Sequence, residues 1–248
     1  CGLHICGACF RYLYPMEMGR TDQRFHRANT IDRLIMKIKA IILDFDGTIV
    51  ESVGIKDWAF ETLFKEYPDH LDEIVKYHLS HNATVRFDKF RYIVEKILGR
   101  EYGEEIERKL SDEFSKLVFE RIVQCPYVAG AEEFLDCFWS KIPLYLISAS
   151  PAEELERILK ARDLNKYFRK IYAIPWVKAE AIKDILKSEN ISAEETVFIG
   201  DAFEDYQAAR STDVFFIGRY SHKSFYGANI PIYENMFDIK KFLVKNVN

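Results

Sequence analysis

The amino-acid sequence predicts an α/β protein, a doubly wound parallel sheet interrupted by an inserted α-helical cap. Three observations carry this prediction. Short apolar runs rich in β-branched and aromatic residues recur along the chain, and helical patterns separate the later ones. The first interval between runs is far longer than one crossover helix needs.

The first run, residues 38–45 (Ile-Lys-Ala-Ile-Ile-Leu-Asp-Phe), suits a central strand buried on both faces. Further runs at Pro143–Ser148, Ile171–Ile174, Thr196–Gly200 and Val214–Gly218 read as parallel neighbours, with a weaker one at Ile230–Tyr233. Leu155, Ile158 and Leu159 mark a helix after the second run, and Ile182, Ile185 and Leu186 another before the fourth. Between the first two runs, residues 53–125 show no strand pattern. Instead they carry amphipathic helical spacings: Trp58, Ala59, Leu63; Leu71, Ile74, Val75; Phe87, Phe90, Val94, Ile97; Ile106, Leu110, Phe114, Leu117, Val118. The expected division is a catalytic sheet from 36–52 and 126–248 with a helical cap from 53–125. Ligands of open α/β sheets bind beyond the C-terminal strand ends, so an insert leaving the first strand there is placed to cover a site.

Composition excludes several partners. With 35 basic against 39 acidic residues and a net charge of −4, the chain has no overall positive field for a nucleic-acid backbone or an anionic membrane. No apolar run approaches the roughly 18 residues of a membrane span. The expected compartment is the cytoplasm, with Cys125 and Cys137 reduced, and the expected state is a monomer or weak homodimer. Residues 1–35 differ in kind: five Arg and no Lys, against ten Arg and 20 Lys in 36–248, with Cys1, Cys6 and Cys9 clustered at the start. The expectation is an N-terminal extension, either without fixed structure or upstream of a true start at Met36. The spacing of Cys6 and Cys9, with Cys1, His4 or His26, also matches a zinc half-site, but no second tight pair follows.

The candidate chemistry lies at strand ends. Asp44-Phe-Asp46-Gly47-Thr48 follows the first strand, and two carboxylates at a buried strand mouth need a neutralising partner such as a hard divalent cation. A second acidic pair, Asp201 and Asp205, follows the Thr196–Gly200 run. Ser148 ends another strand, and Ser150-Pro151-Ala152-Glu153 reads as an N-cap, a first-turn proline and a capping-box acid, which sets a helix N-terminus behind Ser148 as an anion site. Lys178 precedes a helix and offers a point charge to a phosphate or to Asp44.

Asp44–Thr48, Ser148, Lys178 and Gly200–Asp205, in that order, resemble the four motifs of the haloacid dehalogenase (HAD) superfamily, in the phosphoglycolate phosphatase and β-phosphoglucomutase-like branch with a helical cap on a Rossmann-like core. The resemblance covers essentially all of 36–248. It implies a Mg²⁺-dependent phosphatase acting on a small phosphomonoester, a sugar phosphate or phosphoglycolate-like metabolite. Asp44 would be the nucleophile and Asp46 the general acid and base. Asp44, the Asp46 carbonyl and Asp201 would hold Mg²⁺, with Asp205 supporting or joining them. Thr48, Ser148 and the Ala149 N–H would serve the phosphoryl group, and Lys178 would balance its charge. A phosphomutase using the same residues, and a binding module that has lost catalysis, are the alternatives. In the cap, Ser80–Phe87 resembles the segment that reaches the active site, with Arg86 expected to pair with a second substrate anion and His81 and Asn82 with hydroxyls.

Overall fold

The computed structural model describes residues 38–81, 84–221, 225 and 228–246. The segment 1–35, with its Cys6–Cys9 pair, and Asn82 lie outside the described residues.

β1 (Ala40–Leu43) is buried along its whole length. The chain then enters α1 (Val53–Leu63), α2 (Leu71–Ser80), α3 (Arg86–Tyr92), which runs on into a π-turn at Ile93–Ile97, and the long α4 (Glu104–Gln124). Glu104, Glu105 and Glu107 favour the positive end of α4, and Arg121 its negative end. Phe60, Phe90 and Phe114 meet edge-on or tilted, with ring centroids 4.9–5.8 Å apart, and fasten α1, α3 and α4 together.

The insert leaves and rejoins the sheet through one stem. Val50 bridges Tyr127 in antiparallel fashion, Glu51 N donates to Pro126 O at 3.0 Å, and Val128 N donates to Ile49 O at 2.9 Å. From there the chain forms α5 (Ala131–Phe138), β2 (Leu144–Pro151), α6 (Ala152–Ala161), β3 (Phe168–Ile174), α7 (Lys178–Glu189), β4 (Thr196–Gly200), α8 (Phe203–Ser211), β5 (Phe215–Arg219), the two-residue β6 (Ile232–Tyr233) and α9 (Met236–Asn246).

The sheet is parallel throughout, in the order β3-β2-β1-β4-β5-β6. Side-chain alternation divides the core between its faces. Ile41 and Leu43 pack with α5, α6 and α9 through residues such as Phe134, Leu155 and Ile239, whereas Ala40 and Ile42 pack with α7 and α8 through Ile182, Ile185 and Ala209. The strand order reverses between β1 and β4, so the ligand crevice of such a sheet opens at that pair. Leu43 registers with both Leu146 and Ile199, which brings Asp44, Ser148 and Asp201 to one edge of the sheet.

Two local readings change. Ser150 is not an N-cap: β2 continues through Pro151, the helix begins at Ala152 without a side-chain cap, and the Ser150 hydroxyl turns toward Asp46. Helices α5 and α9 have no counterpart in the sequence-based reading. Among the described residues no helix is long and apolar enough to cross a membrane.

Candidate active site

Asp44 is the first residue beyond β1, and its backbone N–H donates to Ile199 O at 2.9 Å, tying it to β4. Asp201 follows β4 directly, and Asp205 lies in the first turn of α8. All three side chains are buried, and one carboxylate oxygen from each lies within 4.8 Å of the others. Lys178, the first residue of α7, donates to Asp44 Oδ1 at 2.7 Å and also to Asp205 Oδ1. Asp205 Oδ2 accepts the Ala202 N–H at 3.0 Å, and Ser221 donates to Asp201.

Glycines permit this convergence. At Gly47 the backbone is left-handed (φ +77°), and a Cβ there would stand 2.3 Å from Asp201 Oδ2; at Gly200 it would meet Asp205 Cγ at 2.6 Å. Arg219, buried at the end of β5, donates to Gly47 O at 3.0 Å and pairs with Glu51, bracing the loop from the sheet side.

The electrostatics follow from burial and neighbours. Burial pushes the Asp44 carboxyl well above the usual carboxylate range; Lys178 pulls it back, while Asp205 and Asp201 raise it further. Against the effect of burial, Asp205 and Asp44 hold the Lys178 ammonium above its ordinary value. Lys178 thus serves two of the three buried carboxylates, Asp44 and Asp205, while Asp201 takes the Ser221 hydroxyl. That excess of oxygen donors and negative charge fits a hard divalent cation, which takes carboxylate ligands and relieves like-charge repulsion.

Asp46 has a separate set of partners. Ser52 donates to Oδ1 at 2.6 Å and Lys56, on α1, to Oδ2 at 2.6 Å; the Ser150 hydroxyl lies 3.5 Å from Oδ2 and 3.4 Å from Lys56 Nζ. Burial would raise the Asp46 carboxyl, but the Lys56 ammonium and the hydrogen bonds from Lys56 and Ser52 hold it below its usual value. Ser148, expected to end its strand, instead lies inside β2, which runs on to Pro151; it is buried, its hydroxyl accepts the Ser150 N–H at 3.2 Å, and Ala149 beside it is exposed. Thr48 is wholly buried, and its hydroxyl has no hydrogen-bond partner among the described residues.

The structure therefore brings together Asp44, Lys178, Asp201 and Asp205, with Asp46 and Thr48 on the loop that carries Asp44 and Ser148 within the neighbouring β2. Arg86 is bonded within the protein. Rather than projecting as a free cation, Arg86 donates to Glu154 Oε2 of α6 at 2.8 Å. His81 is exposed and bonds locally to Tyr77 O and Ser80. Sequence reasoning missed Ser52, Lys56, Ser150, Ser221 and Glu154. A signal existed for two of them: Ser52 and Lys56 stand four apart at the start of a helix, the spacing that puts both on one side. The others are joined to the site only by the tertiary fold.

A parallel α/β sheet whose strand ends gather aspartates around a lysine, with a helical insert leaving the first strand, defines a hydrolase of the haloacid dehalogenase type. The chain belongs to that family: the model of the haloacid dehalogenase-like hydrolases matches residues 41–219, well over half of its length. Solved structures agree on the fold. A predicted phosphoglycolate phosphatase from Haemophilus somnus 129pt aligns with a TM-score of 0.65 at 18% identity, covering 84% of this chain and 99% of that one. The HAD-hydrolase YfnB from Bacillus subtilis, in a magnesium-bound form, aligns with a TM-score of 0.65 at 15% identity, covering 84% and 99%. CbbY from Rhodobacter sphaeroides, in complex with xylulose-1,5-bisphosphate, aligns with a TM-score of 0.60 at 14% identity, covering 80% and 94%. Curated protein sequences provide no match.

Proposed function

We propose that this chain is a Mg²⁺-dependent phosphatase that hydrolyses a small phosphomonoester through an aspartyl-phosphate on Asp44. The observation that carries the reading is the buried group of Asp44, Asp201 and Asp205, within 4.8 Å of one another, with Lys178 bonded to Asp44 and Asp205. Asp44, the Asp46 carbonyl and Asp201 would hold the ion, with Asp205 beside them. When bound, Mg²⁺ supplies positive charge to the phosphoryl oxygens.

The chain's own groups do the rest. The Asp44 carboxylate attacks phosphorus as the bond to the leaving oxygen breaks; that oxygen departs with a proton that Asp46, ionised at rest beside Lys56 and Ser52, relays from the substrate's own phosphate monoanion, and the Asp46 carboxylate then takes a proton from the water that cleaves the acyl-phosphate. Lys178 opposes the charge that Asp44 shares with the phosphoryl group, and Ser148 and the Ala149 N–H offer donors to its oxygens. Ser52 and Lys56 fix the direction of the Asp46 carboxylate, so the residue is oriented from the helical insert.

The test is a panel of phosphorylated metabolites and p-nitrophenyl phosphate, with Mg²⁺ and with chelator. Phosphate release that needs the metal, and falls by about 10³-fold or more in Asp44→Asn, is the expected outcome for loss of a covalent nucleophile. Equal, metal-independent turnover by that variant sinks the mechanism. A phosphosugar isomer in place of inorganic phosphate identifies the phosphomutase instead.

A further inference from the structure

The contact that displaces Arg86 from its expected role has a chemical meaning for the substrate. Arg86 opens α3, Ser115 lies on α4 and Glu154 lies in the first turn of α6, yet the three close a ring. Arg86 Nη1 donates to Glu154 Oε2 at 2.8 Å, Arg86 Nη2 to Ser115 Oγ at 3.1 Å, and Ser115 Oγ to the same Glu154 oxygen at 3.0 Å. The Glu154 side chain is 7% exposed and that of Arg86 14%, so the pair is shielded from water.

The ring stands near the reacting groups. Glu154 lies four residues after Ser150, whose hydroxyl is 3.4 Å from the Lys56 ammonium that bonds Asp46. Two further cations of the insert are also engaged. Lys56 is held by Asp46, and the buried Lys89 faces His78 Nδ1 at 3.3 Å, with His78 Nε2 against Asp57 at 2.8 Å.

We infer that Glu154 is a specificity-determining residue: by neutralising Arg86 from within the chain, it selects a phosphomonoester whose remainder is uncharged, a sugar or polyol phosphate, against phosphocarboxylates and bisphosphates. The inference rests on the phosphatase reading and narrows it. A second anion on the substrate meets the Glu154 carboxylate in a poorly solvated place, while the guanidinium that could receive it already has its partner. Removing only the Glu154 charge leaves Arg86 buried and uncompensated, a vacancy that a substrate carboxylate or phosphate fills.

The experiment measures how glycerol phosphate and phosphoglycolate compete with p-nitrophenyl phosphate in the presence of Mg²⁺, so that each compound's affinity is read whether or not it is turned over. The wild type should bind glycerol phosphate more tightly. Glu154→Gln, which keeps the shape and hydrogen bonds of the ring, should shift the ratio toward phosphoglycolate by about tenfold or more, as a released buried charge implies. Adding Arg86→Ala should cancel that shift, and Ser115→Ala, which leaves the charges in place, should not produce it. Tighter binding of phosphoglycolate by the wild type overturns the inference even where a variant folds poorly, as does a ratio that Glu154→Gln leaves unmoved. No hydrolysis of p-nitrophenyl phosphate or of any phosphorylated metabolite overturns the phosphatase reading itself.

Discussion

Lys89 sits in the helical insert with 3% of its surface exposed, and its ammonium faces a histidine ring rather than a carboxylate. Burial brings its pKa down to about 8 from the ordinary 10.5; Asp57 opposes that fall and Lys56 adds to it. The sign of the linkage follows. Between those two values the unfolded chain holds a proton that the folded chain has released, so stability rises with pH through that window, and below about 8 the full cost of the buried charge is present. The rise should reach at most about 3 kcal/mol. Chemical denaturation at a series of pH values from neutral upward checks it, and Lys89→Met should flatten the rise. An unchanged slope in that variant would show that Lys89 is not its source.

At the scale of elements, a guanidinium from the sheet domain braces the stem of the insert. Arg162, just beyond α6, donates through Nη1 to Ile122 O at 2.7 Å, Val123 O at 3.1 Å and Cys125 O at 2.8 Å, where α4 ends, and it stacks on Tyr127 with its Cζ 4.2 Å from the ring centroid. A cation there satisfies carbonyls that the helix leaves open and complements its dipole. Arg162→Ala should lower stability by about 2–3 kcal/mol, the scale of lost charged hydrogen bonds. It should also speed amide exchange around residues 121–128, measured by hydrogen–deuterium exchange. Faster exchange confined to segments far from the stem would contradict this role.

For the molecule as a whole, what the sequence revealed depended on how local the cause was. β1, β2, β4 and β5 were legible because strands covered on both faces must be nearly continuous apolar runs, and the insert was legible because helical spacing filled a connection far too long for one crossover. Asp44, Asp201, Asp205 and Lys178 could be picked out because each stands at a strand end or helix start, where the parallel register makes them converge. Arg86 could not be placed. Its partner Glu154 lies 68 residues along the chain, and no local pattern distinguishes a guanidinium awaiting a substrate from one held by the protein. Ser150 misled for the opposite reason: a capping sequence before a helix was overridden by a strand that ran on through Pro151.

The central claim is that Asp44 becomes phosphorylated, and acid quenching tests it directly. The Mg²⁺-loaded enzyme is mixed with a substrate carrying a radiolabelled phosphoryl group, stopped in acid during turnover, digested and mapped by mass spectrometry. The account predicts an acid-stable, hydroxylamine-sensitive label on the peptide containing Asp44, absent from Asp44→Asn. Continuing turnover with no label on that peptide, or a label on another residue that persists in Asp44→Asn, would contradict it.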